Sequence, residues 1–487
     1  MGFRLAQRAN GVSLLHGQVS RRMFSGLWPG FDDEEVPITS ITNGVHAPTW
    51  VAREIRDLAA REVPAESLEE AEAWDAIARV PERDLWQAKF QLRDRLVAMV
   101  RQRLGDSWAN RGASPAEVGW IDDVLSPDIL TIGFARRVPS YKRLTLMLRD
   151  RDRLTALLTD PVRPVQLVIA GKAHPADEGG KALIQELVQF TDEAEVRHRI
   201  VFLPDYDISM ATTLYPGCDV WLNNPLRPLE ACGTSGMKAA LNGALNLSIL
   251  DGWWDEWCDG KNGWAIPTAD GVDDPDRRDD LEASALYDLI EKKVAPLFYE
   301  RGADNVPYGW VEMLRHNFRS LGPKVLARRM VRDYMNLLYV TAAESSRAMS
   351  DRGFAAAREL AEWKARVVQA WPSVRVDHVQ SEDVAMAPAL GMQLKVHALV
   401  RLGALSPDDV DVQLVYGRVD ADDRIVQPSA TALVASGLEG DTWRFEAQVE
   451  LDRTGPFGYT VRVLPRHEGL ASPVEMGLLR TPVGGAL

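Results

Sequence analysis

The sequence has few cysteines and no long apolar run. Only three cysteines, Cys218, Cys232 and Cys258, occur in 487 residues, which is too few and too odd a number for a disulfide scaffold. No stretch reaches the roughly 20 consecutive apolar residues of a membrane helix, and the N-terminus lacks the apolar core of a secretory signal. We therefore expect a soluble chain in a reducing cytoplasm, without a membrane partner.

Positive charge is also scarce. Lysine and arginine number 56 against 70 acidic residues, which gives a formal net charge of −14. Proteins that bind nucleic acid or anionic membranes need a basic field, so the composition excludes both classes of partner. A local cluster of cations in such a chain therefore needs an explanation of its own.

One stretch, residues 230–243, places an acid, glycines, hydroxyls and a lysine around the start of an alanine-rich run. Amides and hydroxyls of Gly233, Thr234 and Ser235 at a helix start predict an anion site. Lys238 then stands where it can touch the anion or condense with an aldehyde. The spacing is not that of a Walker loop. The alternative interpretation is an ordinary turn that caps a buried helix and leaves Lys238 on the surface.

Strands and helices alternate between residues 128 and 250. Four short apolar runs predict strands buried on both faces, and helical stretches at 141–159 and 180–190 separate them. The runs are residues 129–134, 166–170, 200–203 and 219–222. This repeated strand-helix-strand order predicts an α/β fold with a parallel sheet covered by helices.

Polar clusters follow the strands at the edge where parallel sheets bind ligands. Residues 171–175 and 204–207, which include Tyr206, follow the second and third strands. The first strand is followed by a basic cluster that contains Arg136, Arg137, Tyr141 and Lys142. Cations at a helix start oppose the helix dipole, so the cluster favours a phosphate site over a merely solvated helix start.

The rest of the chain indicates scaffold. Residues 65–104 have helical spacing behind a capping box of Ser67 and Glu70, and residues 285–298, 310–316 and 325–371 are also predicted helices. After residue 371 the pattern changes to period two, which predicts a small antiparallel sandwich. Its expected strands lie near residues 394–400, 410–416, 443–451 and 459–464. We expect a domain of residues 1–371 and a β-rich domain of residues 372–487, without a catalytic cluster in the second.

Several motifs together resemble the α-glucan (glycogen and maltodextrin) phosphorylases, most closely their shorter bacterial type. They are Ala-Asn-Gly-Val, Thr-Asn-Gly-Val-His, Arg-Arg-Val-Pro-Ser-Tyr-Lys-Arg, Ala-Gly-Lys-Ala-His-Pro, Pro-Asp-Tyr-Asp and Glu-Ala-Cys-Gly-Thr-Ser-Gly-Met-Lys. The resemblance runs in order from about residue 3 to 480. It implies one half of a glycosyltransferase with two Rossmann-like domains, which cleaves α-1,4-glucan with inorganic phosphate to glucose 1-phosphate.

The resemblance also implies a role for each candidate residue. Lys238 matches the lysine that carries pyridoxal 5′-phosphate as a Schiff base, and the cofactor acts through its phosphate. The matches to catalytic, cofactor and phosphate contacts are Arg137, Lys142, Tyr206, Gly233, Thr234, Ser235 and Lys238. The matches to the substrate side are Asn43, Arg136, Arg137, Tyr141, Glu230 and Cys232. Cys232 stands where many members have serine.

Two alternatives stay open at this stage, and the sequence argues against a third. Asn43 belongs to an Asn-Gly turn and is a turn residue on pattern alone. A sugar-nucleotide glycosyltransferase of the glycogen synthase type shares the sheet, the basic pair and the acid, but has no use for Lys238. A retaining glycosidase needs two carboxylates about 5 Å apart, and no second acid is placed with Glu230 in the sequence.

Family members carry a further N-terminal domain ahead of the first motif. The resemblance therefore implies an active cleft that lacks one wall, with impaired phosphorolysis by this chain. It also implies a partner, either a second copy in a homodimer or a separate N-terminal half. An inactive half that binds glucan is the third functional alternative.

Overall fold

The computed structural model describes residues 2–61, 68–137, 140–382, 390–452 and 454–482, apart from the side chains of Arg4, Leu5, Arg137, Ser140 and Glu382. The chain forms two compact units. One comprises Met1–Asn10, Ser20–Thr39 and Met335–Leu487, and the other comprises Gly11–Val19 and Ser40–Tyr334. None of the helices in the described ranges is long and apolar enough to cross a membrane.

The strands and helices follow in chain order. The strands are Ala9–Gly11 (β1), Ile38–Ser40 (β2), Leu130–Arg137 (β3), Val165–Lys172 (β4), Ile200–Leu203 (β5), Val220–Asn223 (β6), Leu245–Ile249 (β7), Gly263–Ile266 (β8), Arg375–Glu382 (β9), Gln393–Arg401 (β10), Val410–Val419 (β11), Ile425–Ala432 (β12), Val434–Glu439 (β13), Thr442–Glu450 (β14) and Phe457–Pro465 (β15). The α-helices are Gly2–Leu5 (α1), Leu14–Phe24 (α2), Ala47–Trp50 (α3), Arg53–Ala59 (α4), Ala71–Arg79 (α5), Glu82–Asn110 (α6), Arg151–Thr159 (α7), Glu178–Thr191 (α8), Ile208–Gly217 (α9), Thr234–Ala240 (α10), Trp253–Trp257 (α11), Pro275–Leu289 (α12), Ala295–Tyr299 (α13), Tyr308–Leu321 (α14), Ala327–Tyr334 (α15) and Val340–Ala370 (α16).

The larger unit is built on a six-stranded parallel sheet in the order β5-β4-β3-β6-β7-β8. The four strands predicted from the sequence are β3 to β6, and the doubly wound α/β prediction is confirmed. All residues of β6 and β7 are buried, as expected for strands covered on both faces. The sequence analysis missed β7 and β8, because they lie within the glycine- and tryptophan-rich stretch that follows the lysine motif.

A buried ion pair fixes the long helix α6 to the start of β6. Arg93 on α6 donates to Asp219 at 2.6 Å, and both side chains are at most 1% exposed. The second carboxylate oxygen of Asp219 accepts the amide of Thr131 on β3. Lys89, one turn earlier on α6, donates to the carbonyl oxygens of Pro216, Cys218 and Asn242. These contacts fix the amino ends of β3 and β6, opposite the carboxyl ends that carry the candidate site.

The helix predicted over residues 141–159 is wrong in its first half. Residues Ser140–Lys142 and Leu146–Asp150 form 3₁₀ turns, and α7 begins only at Arg151. Arg143, between the turns, has a φ of +51°, and its guanidinium donates to the carbonyls of Asn224 and Pro225. This tertiary contact outweighs helix propensity. The basic cluster therefore does not precede an α-helix, and the argument from the helix dipole does not apply to it.

The predicted antiparallel sandwich is present in the second unit. One sheet has the order β13-β14-β10-β9 and the other has the order β12-β11-β15, and their inner faces share one apolar core. The helix predicted over 325–371 is instead divided into α15, a π-helical turn at Met335–Tyr339, and α16. Non-helical residues at 351–354, including Gly353, interrupt α16. The predicted Ser67 cap lies outside the described residues.

Candidate active site

The candidate site lies where the strand order of the sheet reverses. β3 connects to β4 on one side and pairs with β6 on the other, and such switch points are where open α/β sheets bind ligands. β3 and β6 pair only through Ile132 and Gly133 with Val220 and Trp221. β3 continues to Arg137 beyond these pairs, and the carboxyl ends of these two strands are where the topology predicts a ligand crevice.

Three charged side chains converge in this crevice. Glu230 accepts a hydrogen bond from Arg136 at 3.1 Å and contacts the ammonium of Lys142. The side chains of Arg136, Lys142 and Glu230 are only 6%, 16% and 9% exposed. Burial lowers the pKa of both cations, against the opposing effect of Glu230. The two cations share the carboxylate of Glu230 as their ion-pair partner in a poorly hydrated place, which favours a further anionic ligand.

The arginine at the end of β3 is not fully satisfied by this pairing. Nε and Nη2 of Arg136 are buried, and in the described part of the chain neither has a hydrogen-bond partner. An unpaired buried donor carries a desolvation cost of about 1–3 kcal/mol, more for a charged group. The Arg136 guanidinium thus offers two N–H donors to a ligand oxygen.

The turn before α10 supplies further backbone donors. Gly233 has a φ of +85°, in the left-handed region that glycine adopts without strain, and no side chain caps α10. Ser235 accepts a hydrogen bond from the indole of Trp221 at 3.2 Å, and Trp253 donates to the Gly233 carbonyl at 3.0 Å. Thr234 is the first residue of α10. The indoles of Trp221 and Trp253 therefore hold this turn by hydrogen bonds.

Lys238, on α10, points its ammonium at aromatic rings. Its Nζ lies 3.9 Å from the ring centroid of Trp50 and 5.6 Å from that of Tyr215. Burial lowers the pKa of Lys238, because an ammonium loses hydration there. Within the described ranges no carboxylate pairs with it. A half-buried amine of lowered pKa is a better nucleophile at neutral pH than a solvated surface lysine.

Tyr206 is connected to the Lys238 amine by Tyr215, whose ring contacts the amine and whose hydroxyl is hydrogen-bonded to Tyr206. The two hydroxyl oxygens are 2.7 Å apart, and burial raises the pKa of both phenols while the Arg136 guanidinium opposes the rise. That shared effect places Arg136 near the tyrosine pair. Tyr215 is therefore the residue that links the surroundings of Lys238 to the charged cluster.

The other predicted substrate residues have more varied positions. Tyr141 is half-buried, with the Lys142 ammonium 4.8 Å from its ring centroid, and burial raises its pKa. Asn43 is held by its backbone, since its amide donates to Val12 and its carbonyl accepts from Arg329. Burial raises the pKa of the Cys232 thiol to about 12, so Cys232 is neutral at pH 7. The side chain of Arg137 lies outside the described residues.

Sequence reasoning missed Trp50 and Asn242. Asn242 is fully buried, donates to the carbonyls of Trp50 and Lys238, both at 2.8 Å, and accepts the amide of Ala52 at 2.8 Å. It thereby joins the Trp50 segment to α10 and sets the ring against the amine. The available signal was its position inside the 230–243 stretch, four residues after Lys238.

Asp251 is an acid near Glu230 that the sequence did not indicate. Asp251 accepts the backbone amides of Glu230 and Gly252, at 3.0 and 2.8 Å, on its two carboxylate oxygens. Burial, with a contribution from Glu230, raises the pKa of Asp251 to about 6. Because both its oxygens are occupied by amides, Asp251 holds the turn that carries Glu230 and is not placed as a nucleophile.

Replacement of Trp50 by alanine should shift modification of Lys238 to higher pH. Loss of the ring admits water to Nζ and raises the pKa of Lys238, so less neutral amine is present at a given pH. The check is the rate of covalent labelling by pyridoxal 5′-phosphate, trapped with borohydride, between roughly pH 7 and 10. Trp443→Ala, in β14, is the matched control. Identical pH profiles for the two variants would contradict the role assigned to Trp50.

The fold and the crevice define a doubly wound α/β protein whose site combines an amine, paired cations and a glycine turn at the switch point. A family model described as "Carbohydrate phosphorylase" matches residues 3–256, and one described as "Glycogen phosphorylase C-terminal domain" matches residues 371–483. The chain belongs to the carbohydrate phosphorylase family. This assignment favours the phosphorylase alternative over the glycogen synthase type.

Named relatives are similar over almost the whole chain. A "Glycogen phosphorylase" of Mycobacterium tuberculosis (strain H37Rv) is 59% identical over 480 residues, which are 98% of this chain and 56% of the relative. A "Maltodextrin phosphorylase" of Thermococcus litoralis is 35% identical over 491 residues, 99% of this chain and 56% of the relative. A "Glycogen phosphorylase" of Aquifex aeolicus is 43% identical over 342 residues, 70% and 49% of the two chains. The chain thus spans about half the length of these relatives.

Proposed function

We propose that this chain provides the cofactor- and phosphate-binding part of an α-glucan phosphorylase. The reaction transfers a glucosyl residue from α-1,4-glucan to inorganic phosphate and releases glucose 1-phosphate. The observation that carries the proposal is the convergence of Arg136, Lys142 and Glu230 at the switch point, with the half-buried amine of Lys238 on the helix that follows β6. The names of the relatives support an α-glucan as the sugar substrate.

The residues present fit pyridoxal 5′-phosphate as the cofactor. Lys238 has an amine beside aromatic rings, without an anionic partner in the described chain. Gly233, Thr234, Ser235, Lys142 and Tyr206 would hold the cofactor around it. When bound, the cofactor supplies a phosphate group that gives and takes a proton beside the substrate phosphate.

The cations of this chain would offset the repulsion between the two phosphate groups of such a site. Two phosphate groups held side by side repel strongly in a poorly hydrated crevice. The excess positive charge of Arg136 and Lys142 over Glu230, with the unpaired donors of Arg136, offsets that repulsion and stabilises negative charge as it develops. We assign the same task to Arg137, which comes next on β3.

The proposed glucosyl-binding residues are a hydrogen-bond acceptor, Glu230, and uncharged side chains. Glu230 would accept hydrogen bonds from glucosyl hydroxyls when phosphate takes over its cations. Tyr141, Asn43 and Cys232 line the remaining side of the glucosyl position. The neutral thiol of Cys232 contributes shape and a weak hydrogen bond, not a nucleophile.

The test is release of glucose 1-phosphate from maltoheptaose and inorganic phosphate by the chain loaded with pyridoxal 5′-phosphate. It is run with this chain by itself and again after mixing with the portion of the mycobacterial relative that this chain does not match. We expect low release from the chain by itself and stimulation by the second polypeptide. Absence of release in both, with the cofactor bound at Lys238, would contradict the proposed activity.

The proposal extends to organisation and location. The family resemblance supports a homodimer or a second polypeptide as partner, which sedimentation with and without the second polypeptide would distinguish.

Three unpaired thiols, two of them buried, support a reducing cytoplasm. The change from helical to period-two pattern at residue 372 supports the boundary between domains 1–371 and 372–487, which differs from the division of the two compact units at Met335.

A further inference from the structure

A second groove lies on the larger unit, beside the edge strand β5. It has a volume of about 220 Å³ and is bounded by the last turns of α6 and α8, by β5, and by the 3₁₀ turn Gly119–Asp123. Its lining residues do not include any residue that we place at the Lys238 site. The proposed phosphorylase chemistry therefore does not use it.

Two tryptophans form a corner of this groove. The rings of Trp108 and Trp120 have centroids 6.1 Å apart and planes at 88° to each other, and both side chains are only half-buried. Indoles in this chain are otherwise mostly core residues, such as Trp74, Trp221 and Trp254. Two adjoining indoles that remain accessible at a groove offer an apolar, π-rich surface to the C–H face of a flat, partly apolar ligand.

Charged side chains of both signs stand around the same corner. The guanidinium of Arg197 lies 4.9 Å from the ring centroid of Trp120, and that of Arg111 lies 5.9 Å from the ring centroid of Trp108. Asp192 lines the groove with them, and burial raises the pKa of its carboxyl against the opposing effect of the Arg111 guanidinium. Neither arginine is ion-paired in the described chain, and Nε of Arg197 is buried without a hydrogen-bond partner.

We propose that this groove binds one glucosyl residue of an α-glucan chain, as a second contact separate from the Lys238 site. Guanidinium donors and a carboxylate acceptor suit neighbouring sugar hydroxyls, which both accept and donate hydrogen bonds. A purely anionic ligand would be repelled by Asp192, and a purely apolar one would leave Arg197 unsatisfied. The size of the groove limits the occupant to about one pyranose ring. The choice of α-glucan among sugars rests on the proposed function.

The test resolves the two sites in one experiment. The chain is labelled with 5-fluorotryptophan, its 15 tryptophans are observed by ¹⁹F NMR, and the resonances of Trp108, Trp120 and Trp253 are assigned by single Trp→Phe variants. Maltoheptaose is then titrated. We expect saturable shifts of the Trp108 and Trp120 resonances. Shifts of the Trp253 resonance report the Lys238 site independently, so failure of either proposal is seen separately.

Paired variants test the polar contact. Asp192→Ala should weaken the maltoheptaose affinity reported by Trp108 and Trp120 by about tenfold, corresponding to one lost charged hydrogen bond. Glu193→Ala, an exposed neighbour that does not line the groove, should leave it unchanged. Stationary Trp108 and Trp120 resonances, an equal effect of the two variants, or shifts produced by inorganic phosphate instead of maltoheptaose would each overturn the proposal.

Discussion

Lys238→Ala should abolish covalent attachment of pyridoxal 5′-phosphate while leaving the fold intact. Nζ of Lys238 is the amine at the switch point with aromatic contacts and a lowered pKa, and Lys142, the other lysine of the candidate site, is ion-paired with Glu230. The side chain of Lys238 has no ion pair or hydrogen bond among the described contacts, and its ring contacts contribute on the order of 1–2 kcal/mol, so the variant should still fold.

The measurement is mass-spectrometric mapping of the adduct after borohydride reduction, with absorbance as a second readout. Lys181→Met, which replaces an exposed lysine on α8, is the matched control and should label like the unaltered chain. Lys238→Met keeps the apolar stem against Trp50 and separates loss of the amine from loss of packing. An adduct on another lysine in the Lys238 variants would refute the cofactor assignment.

The parallel sheet could be predicted because the sequence pattern that specifies it lies within each strand. Each central strand is a short apolar run, and parallel strands must be covered on both faces, so the residues of β3 to β6 predict both their conformation and their neighbours. The position of the polar clusters then follows from topology, since the ends of parallel strands meet at one edge. Arg136, Lys142 and Glu230 meet there although 94 residues separate the first from the last.

What the sequence did not reveal depends on tertiary contacts. Arg143 breaks a helical pattern because its guanidinium binds carbonyls 81 and 82 residues away. Trp50 faces Lys238 because Asn242 hydrogen-bonds to both segments, and nothing in the local pattern around Trp50 specifies that. Asp251 is likewise brought to Glu230 by the turn after β7. In each case a polar side chain bonds to backbone distant in sequence, which periodicity does not register.

Glu230→Gln should destabilise the chain strongly and make its stability depend on phosphate. The carboxylate is the counter-ion of two cations, and removing one partner of a buried ion pair costs about 3–5 kcal/mol because the remaining charge stays desolvated. Asp255→Asn is the control, since Asp255 pairs with Arg227 at 3.1 Å where both side chains are about 30% exposed, and such pairs contribute less than about 1 kcal/mol.

Inorganic phosphate distinguishes a phosphate site from a purely structural ion pair. In the Glu230→Gln variant, phosphate is free to become the counter-ion of Arg136 and Lys142, and a ligand that binds only the folded state stabilises it. The phosphate-induced rise in melting temperature should therefore be larger for Glu230→Gln than for the unaltered chain or for Asp255→Asn, whereas sodium chloride of equal ionic strength should not reproduce the difference. An equal response of all three chains would mean that the two cations serve only to hold Glu230, because a phosphate drawn to them must respond to the loss of the carboxylate that competes with it.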